Sequence, residues 1–167
     1  MRLLIFSDSH GRIGGMQDVL NKLLNQINAV IHLGDYERDA QRLEALCPSV
    51  PFYYVPGNNE PCPDPFKIIE LNGRRIFLTH GHKYRVKRDL STLKQAAAEN
   101  NADACFFGHS HKAHYEMYGD ILVLNPGSIS FPRGQHGASY AIVNVPPSGV
   151  LSGNVIEVTK HGGRPIF

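Results

Sequence analysis

Five polar clusters in this chain carry residue types that hold divalent ions. They are Asp8 and His10 in Ser7-Asp8-Ser9-His10, Asp35 in Gly34-Asp35, Asn58 in Gly57-Asn58-Asn59-Glu60, His80 in His80-Gly81-His82, and His109 and His111 in Gly108-His109-Ser110-His111. Imidazole, carboxylate and carboxamide oxygen together suit borderline-to-hard ions such as Mn²⁺, Fe²⁺, Ni²⁺ or Zn²⁺. Seven such ligands exceed what one ion takes while keeping a position open for substrate. Two ions sharing a bridging carboxylate fit better. Such pairs sit about 3.5–4 Å apart and clamp the attacking and leaving oxygens of an in-line displacement, with a hydroxide between them as nucleophile. Each cluster alone is weak, since Gly-Asp usually marks a turn and His-Gly-His can be a solvated loop. The force lies in the ordered set.

The elements that must position these clusters are legible from apolar patterning. Residues 3–6, 29–33 and 50–55 are short apolar runs, each ending in one of the clusters, and read as buried strands. Residues 16–27 carry apolar side chains at helical spacing, and residues 36–46 are a second helix candidate. This strand–helix alternation predicts a parallel sheet with crossover helices. Residues 66–71 and 74–79 flank Asn72-Gly73, a two-residue hairpin signal. A helix over 89–99 with Asp89 as N-cap follows, then a strand over 103–107 and short strands near 114–118, 121–124, 138–145 and 150–158. Two sheets packed face to face with helices outside accommodate both halves. Because ligands bind beyond the carboxyl ends of strands in such sheets, five loops leaving strand ends converge on one place.

Bulk composition is consistent with one domain over residues 1–167. The chain is 42% hydrophobic and 19% charged, ordinary proportions for a globular protein. A net charge of +2 gives no argument for long nucleic acid or an anionic membrane. The three cysteines, Cys47, Cys62 and Cys105, lack CxxC spacing and read as reduced thiols, with Cys105 a small core residue and Cys62 near the third cluster. The first apolar run is too short for a signal-peptide core, and the expected location is cytoplasmic.

The ordered motifs Asp8-Ser9-His10, Gly34-Asp35, Gly57-Asn58-Asn59-Glu60, His80-Gly81-His82 and Gly108-His109-Ser110-His111 resemble the calcineurin-like metallophosphoesterase superfamily. The small size and Asn125-Pro126-Gly127-Ser128 look more specifically like its small bacterial and archaeal phosphodiesterases of the YfcE type. The resemblance covers about residues 2–145 and implies an α/β four-layer αββα sandwich. It implies that Asp8, His10 and His111 hold one ion, that Asn58, His80 and His109 hold another, and that Asp35 bridges them. The expected cofactor is two divalent ions, manganese first, with nickel, iron or zinc admitted. The family's ligand matches His80, which leaves His82 as a substrate-facing or supporting residue.

One position departs from the family. Many members carry a histidine directly after the asparagine ligand, where it contacts phosphate and protonates the leaving group; here that residue is Asn59. An amide donates a hydrogen bond but supplies no proton. Asn59 is therefore expected to be the catalytic-site residue that favours small diesters over simple monoesters. Arg12 is a further candidate phosphate contact, and Glu60 a supporting carboxylate. The basic run 83–88 either attracts an anionic substrate or is a solvated loop or helix start. A small phosphodiester is the expected partner, with no membrane. Self-association stays open, with residues 165–167 as an interface or a docked tail. Two alternatives use the same fold: a non-catalytic interaction scaffold, as in a eukaryotic retromer subunit, and a phosphomonoesterase or nuclease.

Overall fold

Leu3 and Ile5 face one way from the first strand and Leu4 and Phe6 face the other, and all four are fully buried. A strand covered on both faces needs a layer on each side, and the computed structural model shows where those layers come from. The structure describes residues 1–61, 65–160 and 162–167. Cys62 lies outside the described residues.

The elements are β1 (Arg2–Phe6), α1 (Gly14–Leu23), β2 (Ala29–His32), α2 (Glu37–Leu46), β3 (Phe52–Tyr54), β4 (Lys67–Leu71), β5 (Arg74–Thr79), α3 (Ser91–Glu99), β6 (Ala104–Phe107), β7 (Ala113–Tyr118), β8 (Ile121–Pro126), β9 (Ser139–Asn144), β10 (Ser152–Thr159) and β11 (Gly162–Pro165). One sheet runs β11-β10-β9-β1-β2-β3, and the other β4-β5-β6-β8-β7. In the first, β1, β2 and β3 are parallel, β9 runs antiparallel to β1, and β10 pairs antiparallel with β9. In the second, β5, β6 and β8 are parallel, with β4 and β7 antiparallel at the edges.

Three apolar clusters glue the layers. Leu3, Ile5 and Ile31 of the first sheet meet Ile76, Leu78 and Phe106 of the second in the central core. On the outer face of the first sheet, Leu4, Phe6 and Val30 meet Met16 and Leu20 of α1 and Leu43 of α2. On the outer face of the second, Phe77, Cys105 and Phe107 meet Leu93 and Ala97 of α3. The result is the expected αββα sandwich. Cys105 is fully buried, and burial pushes its thiol far up, so it behaves as a core residue.

Element ends shift by up to four residues from those expected, most at α1, which gives way to a 3₁₀ turn at Leu24–Gln26, and three local features also differ. The helix after residue 90 begins at Ser91, and Asp89 acts one position early by accepting the Ser91 N–H at 3.0 Å. The basic run after His80 is not a helix start but a short 3₁₀ turn, His82–Tyr84, closed by Arg85 in the left-handed region at φ 54°. Near the C-terminus, Gly162–Pro165 form β11, and Ile166 just after it donates its N–H to Val155 O at 2.9 Å and packs its side chain on the central core. Among the described residues, no helix is long and apolar enough to cross a membrane.

Candidate metal centre

β1, β2, β3, β5 and β6 all end at one edge of the sandwich, and the five polar clusters occupy the loops that leave them. Those loops are bent hard. Among the described residues, eight that are not glycine have positive φ. Asp8 (55°), His10 (50°), Asp35 (91°), His109 (65°) and His111 (59°) are five of them. Such conformations cost on the order of 1 kcal/mol or more each and persist where surrounding structure enforces them, characteristically at functional sites. Two glycines permit the close approach of these loops. A Cβ on Gly57 would lie 2.4 Å from the Asp35 backbone, and one on Gly108 would lie 2.1 Å from Ser7 Oγ.

Asp8, His10, Asp35 and His111 converge, with ligand atoms all within 4.8 Å of one another. His10 Nε2 is 2.8 Å from Asp35 Oδ2 and 3.2 Å from His111 Nε2. His111 Nδ1 donates to Phe131 O at 2.6 Å, so its Nε2 carries a bare lone pair. That lone pair faces Asp8 Oδ1 at 3.3 Å, and Asp8 Oδ1 is buried with no hydrogen-bond partner.

A second group sits beside the first. His80 Nδ1 donates to Leu33 O at 2.7 Å, which leaves its Nε2 bare. This atom is 3.0 Å from Asn58 Oδ1 and 3.2 Å from His109 Nδ1. Burial pushes the His80 imidazole down to about 3 and, with the neighbouring His80, His109 to about 4. Both rings are thus neutral and ready to ligate. Burial pushes the Asp8 carboxyl up to about 7, with Asp35 adding to the rise, against the Ser7 hydroxyl, the His109 N–H and the charge of Lys87. A cation placed among these oxygens would take the place of that proton. Bare nitrogen facing bare oxygen, twice, is a donor set that fits divalent ions and little else.

The remaining expected residues fall around this centre. Asn59 Nδ2 donates to Asp35 Oδ1 at 2.8 Å, while its Oδ1 accepts from Asn58 at 3.2 Å, so one of its two Nδ2–H groups is engaged by the neighbouring loop that carries Asp35. The His82 ring lies 5.6 Å from that of His80 and 6.0 Å from that of His109, with a buried, unpartnered Nδ1. Arg12 stacks on Phe131, 4.3 Å from the ring centre, and Phe131 meets His10 edge-on. Glu60 accepts the Gly57 N–H at 3.1 Å and the Glu37 N–H at 2.7 Å, closing its own turn and satisfying the exposed N-terminus of α2.

Two further groups support these loops, and sequence reasoning missed the first. His32, Ser9 and Asp39 form a buried relay beneath the first loop. Gly34 donates to His32 Nδ1 at 3.3 Å, so His32 Nε2 donates to Ser9 Oγ at 3.0 Å, and Ser9 donates to Asp39 Oδ2 at 2.7 Å. Asp39 also accepts the Gly11 N–H at 2.7 Å. Both His32 and Asp39 sit one turn or one strand from a motif, where they read as ordinary strand and helix residues. The second support is Asn125-Pro126-Gly127-Ser128, which the family resemblance implies is a structural turn packed near the site. Asn125 donates to Gly108 O at 2.9 Å, and Ser128 donates to Asp8 O at 2.8 Å while accepting the Phe131 N–H at 2.8 Å. It ties together the loops that carry Asp8, His109 and, through Phe131, His111.

Comparison with known proteins decides the lineage. Residues 1–147 match the model of the calcineurin-like phosphoesterase superfamily domain. The chain belongs to that superfamily. A probable metallophosphoesterase, YsnB of Bacillus subtilis (strain 168), is 37% identical over 149 residues, spanning 87% of this chain and 85% of its own. The phosphodiesterase YfcE of Escherichia coli (strain K12) is 29% identical over 194 residues, spanning 100% and 96%. A solved structure of a predicted phosphoesterase from Streptococcus pneumoniae TIGR4 superposes with a TM-score of 0.78 at 29% identity, covering 99% and 96%. As a calcineurin-like phosphoesterase, the chain gathers its metal-binding residue types where the superfamily fold brings strand ends together.

Proposed function

We propose that this protein is a two-metal phosphodiesterase acting on small phosphodiesters. One observation carries the reading: on a calcineurin-like scaffold, two pairs of lone-pair atoms, His111 Nε2 with Asp8 Oδ1 and His80 Nε2 with Asn58 Oδ1, face each other at 3.3 and 3.0 Å. Asp8, His10 and His111 would hold one ion and Asn58, His80 and His109 the other, with Asp35 available to both. Divalent ions held there would supply an acidified water as nucleophile and neutralise charge on the phosphoryl oxygens.

The chain's own residues divide the remaining work. The Leu33 and Phe131 carbonyls hold His80 and His111 in the tautomer that presents Nε2. Asn59 keeps Asp35 oriented through its Oδ1 and has a second N–H to offer a phosphoryl oxygen. It has no titratable proton for the leaving group, so leaving groups of low pKa are favoured. This absence supports the diester assignment over a monoesterase. The His82 ring beside His80 and His109, and Arg12 stacked on Phe131, are the further substrate contacts.

The test is turnover of bis-p-nitrophenyl phosphate by metal-replete protein with Mn²⁺, compared with p-nitrophenyl phosphate. The diester is cleaved preferentially, EDTA abolishes turnover, and Asp35→Asn or His109→Ala abolishes it while leaving the fold intact. Absence of turnover with Mn²⁺, Ni²⁺, Fe²⁺ and Zn²⁺ across several diesters overturns the reading. The retained ligand set argues against a purely scaffolding role.

A further inference from the structure

The loop carrying His109 and His111 forms one wall of the metal centre and, on its other side, one wall of a groove of about 570 Å³. Ser110 and Lys112, on either side of His111, line that groove. So does Arg133, whose backbone N–H donates to His111 O at 3.0 Å. The groove and the centre are therefore joined through His111 itself. Its volume lies within the ordinary range for sites that hold a molecule of nucleotide size.

The lining is of two kinds. Lys87, Arg88, Lys112 and Arg133 surround the groove as exposed cations. Among the described residues, ion pairs engage Arg74, Arg75, Lys94 and Arg164 instead, and none engages these four. The acid in the lining, Asp89, accepts both the N–H and the hydroxyl of Ser91 at the start of α3, and these hydrogen bonds, more than the charge of Arg88, hold its carboxyl below the usual range. Beneath the cations the floor is apolar, with Val86 and Phe107 buried and Leu90 half-buried.

A simple diester carries one negative charge, and the metal centre already meets it. Four further unpaired cations over an apolar floor are unexplained by that charge. They match a ligand with an apolar body and a second, dianionic group, for which arginine and lysine are the fitting donors. The chain as a whole is only +2, so this concentration is local and short, unlike the extended basic face of a protein that binds long nucleic acid. Resting on the phosphodiesterase reading above, we propose that the groove binds a terminal phosphate of the substrate, and that the substrate is a nucleotide-type diester whose further phosphomonoester is held by Lys87, Arg88, Lys112 and Arg133. This gives the basic run 83–88 a place in substrate recognition.

Two measurements test it. With metal-replete protein, kcat/KM is compared for the dinucleotide ApA and its phosphorylated forms pApA and ApAp, which share one scissile diester. One phosphorylated form is preferred by about ten-fold or more, the scale of one or two charge-assisted hydrogen bonds. The Arg88→Gln/Arg133→Gln double variant brings that ratio toward one. Ratios near one for both forms, with the dinucleotides cleaved, overturn the inference and leave the phosphodiesterase reading standing. Separately, AMP is titrated into metal-free protein and followed by amide chemical shifts. Saturable shifts at Lys112, Ala113 and His114, weakened about ten-fold in the double variant, support the groove. If no diester of any kind is cleaved, the reaction assignment fails, and AMP binding alone decides: absence of these shifts overturns the groove as a phosphate site.

Discussion

His80 Nε2 faces Asn58 Oδ1 at 3.0 Å, and neither atom has a proton to give the other. The histidine's single proton is spent on Leu33 O, and burial holds the ring neutral by pushing its pKa to about 3. Asn58 is oriented by the hydrogen bond from its own Nδ2 to Asn59 Oδ1, at 3.2 Å, which turns the carbonyl oxygen toward the histidine. Two acceptors held in contact repel until a cation enters between them. The same opposition recurs at His111 Nε2 and Asp8 Oδ1, so the fold holds two such poles ready for charge.

Metal should therefore stabilise this protein measurably. Titrating Mn²⁺ into EDTA-treated protein is expected to raise the melting temperature, with about 2.7 kcal/mol of stabilisation when free metal is 100 times Kd. Calorimetry should find two equivalents per chain. Asn58→Ala should remove one and keep the other, because the Asp8, His10, Asp35 and His111 group does not involve Asn58. Two equivalents in the variant would show that Asn58 is not a ligand.

The metal-free protein should lose stability in mild acid. His32 is fully buried and its pKa is pushed to about 4, and His80 and His109 fall to about 3 and 4. In the unfolded chain these rings take up protons below about 6.5. The unfolded state thus binds more protons between about pH 4 and 6.5, and stability is lost as pH falls through that window. Asp8 acts in the opposite sense: raised to about 7, it contributes stability at low pH that is lost as pH rises from about 4 to 7. Three groups against one give a net loss on acidification. Urea midpoints in EDTA at pH 5 and pH 7 measure it, and His32→Gln should flatten the difference. A higher midpoint at pH 5 would contradict the sign.

Much of this arrangement is legible before any coordinates. The strand-end placement of Asp8, Asp35, Asn58, His80 and His109 follows from apolar runs that stop at polar residues, because a buried strand must surface somewhere. The Asn72-Gly73 hairpin and the stripe of α1 follow from turn chemistry and periodicity in the same way. What periodicity cannot carry is the tertiary pairing of isolated polar residues. Asp39 looks like any first-turn helix acid, and only its approach to Ser9 Oγ and Gly11 N makes it a support of the metal loop. Asp89 differs again: it is the expected cap, but the helix starts later and its side chain satisfies the start of α3 from one position before the observed cap, Leu90. The groove beside His111 depends on Arg133, far in sequence from the basic run that precedes α3, and so has no local signature.

Glycine substitutions separate packing from conformational freedom. Gly108→Ala places a Cβ 2.1 Å from Ser7 Oγ and 3.0 Å from Asp8 Oδ2, where a shift of either atom disturbs the hydrogen bond that Ser7 donates to Asp8. The expected cost is about 1–3 kcal/mol of stability, with phosphodiesterase activity lost along with it. Gly14, the first residue of α1, has nothing within 4 Å of an added Cβ, and Gly14→Ala should be neutral or stabilising by up to about 1 kcal/mol. Equal effects of the two variants on urea unfolding would mean that Gly108 is not constrained by the Ser7–Asp8 contact.

Ser128 makes no contact with any proposed ligand atom, yet it should control metal affinity. Its hydroxyl donates to Asp8 O and accepts the Phe131 N–H, and Phe131 O fixes His111. Ser128→Ala frees both loops at once. The expected result is a weakening of Mn²⁺ binding by roughly 10–100-fold with the folded state retained. Unchanged affinity in a calorimetric titration would mean that packing around Asp8 and His111 suffices to hold them.

Asn59 is where reaction scope should be adjustable. Its Nδ2 lies 2.8 Å from Asp35 Oδ1, so a side chain at this position reaches both the carboxylate proposed to be shared by the ions and the space above it. A histidine has one nitrogen to donate to Asp35 and a second to present a proton to a departing alkoxide, which an amide cannot do. Asn59→His is therefore expected to gain hydrolysis of alkyl phosphomonoesters by about 10²-fold or more, the low end of general-acid effects, with an acidic limb and a basic limb in its pH profile. Asn59→Ala, by contrast, removes the hold on Asp35 without adding a proton source, and should lower diester turnover while leaving monoesters uncleaved. If Asn59→His gains no monoesterase activity yet still binds metal as the parent does, leaving-group protonation is not what limits this site, and the preference for diesters arises from how the substrate's second arm is held.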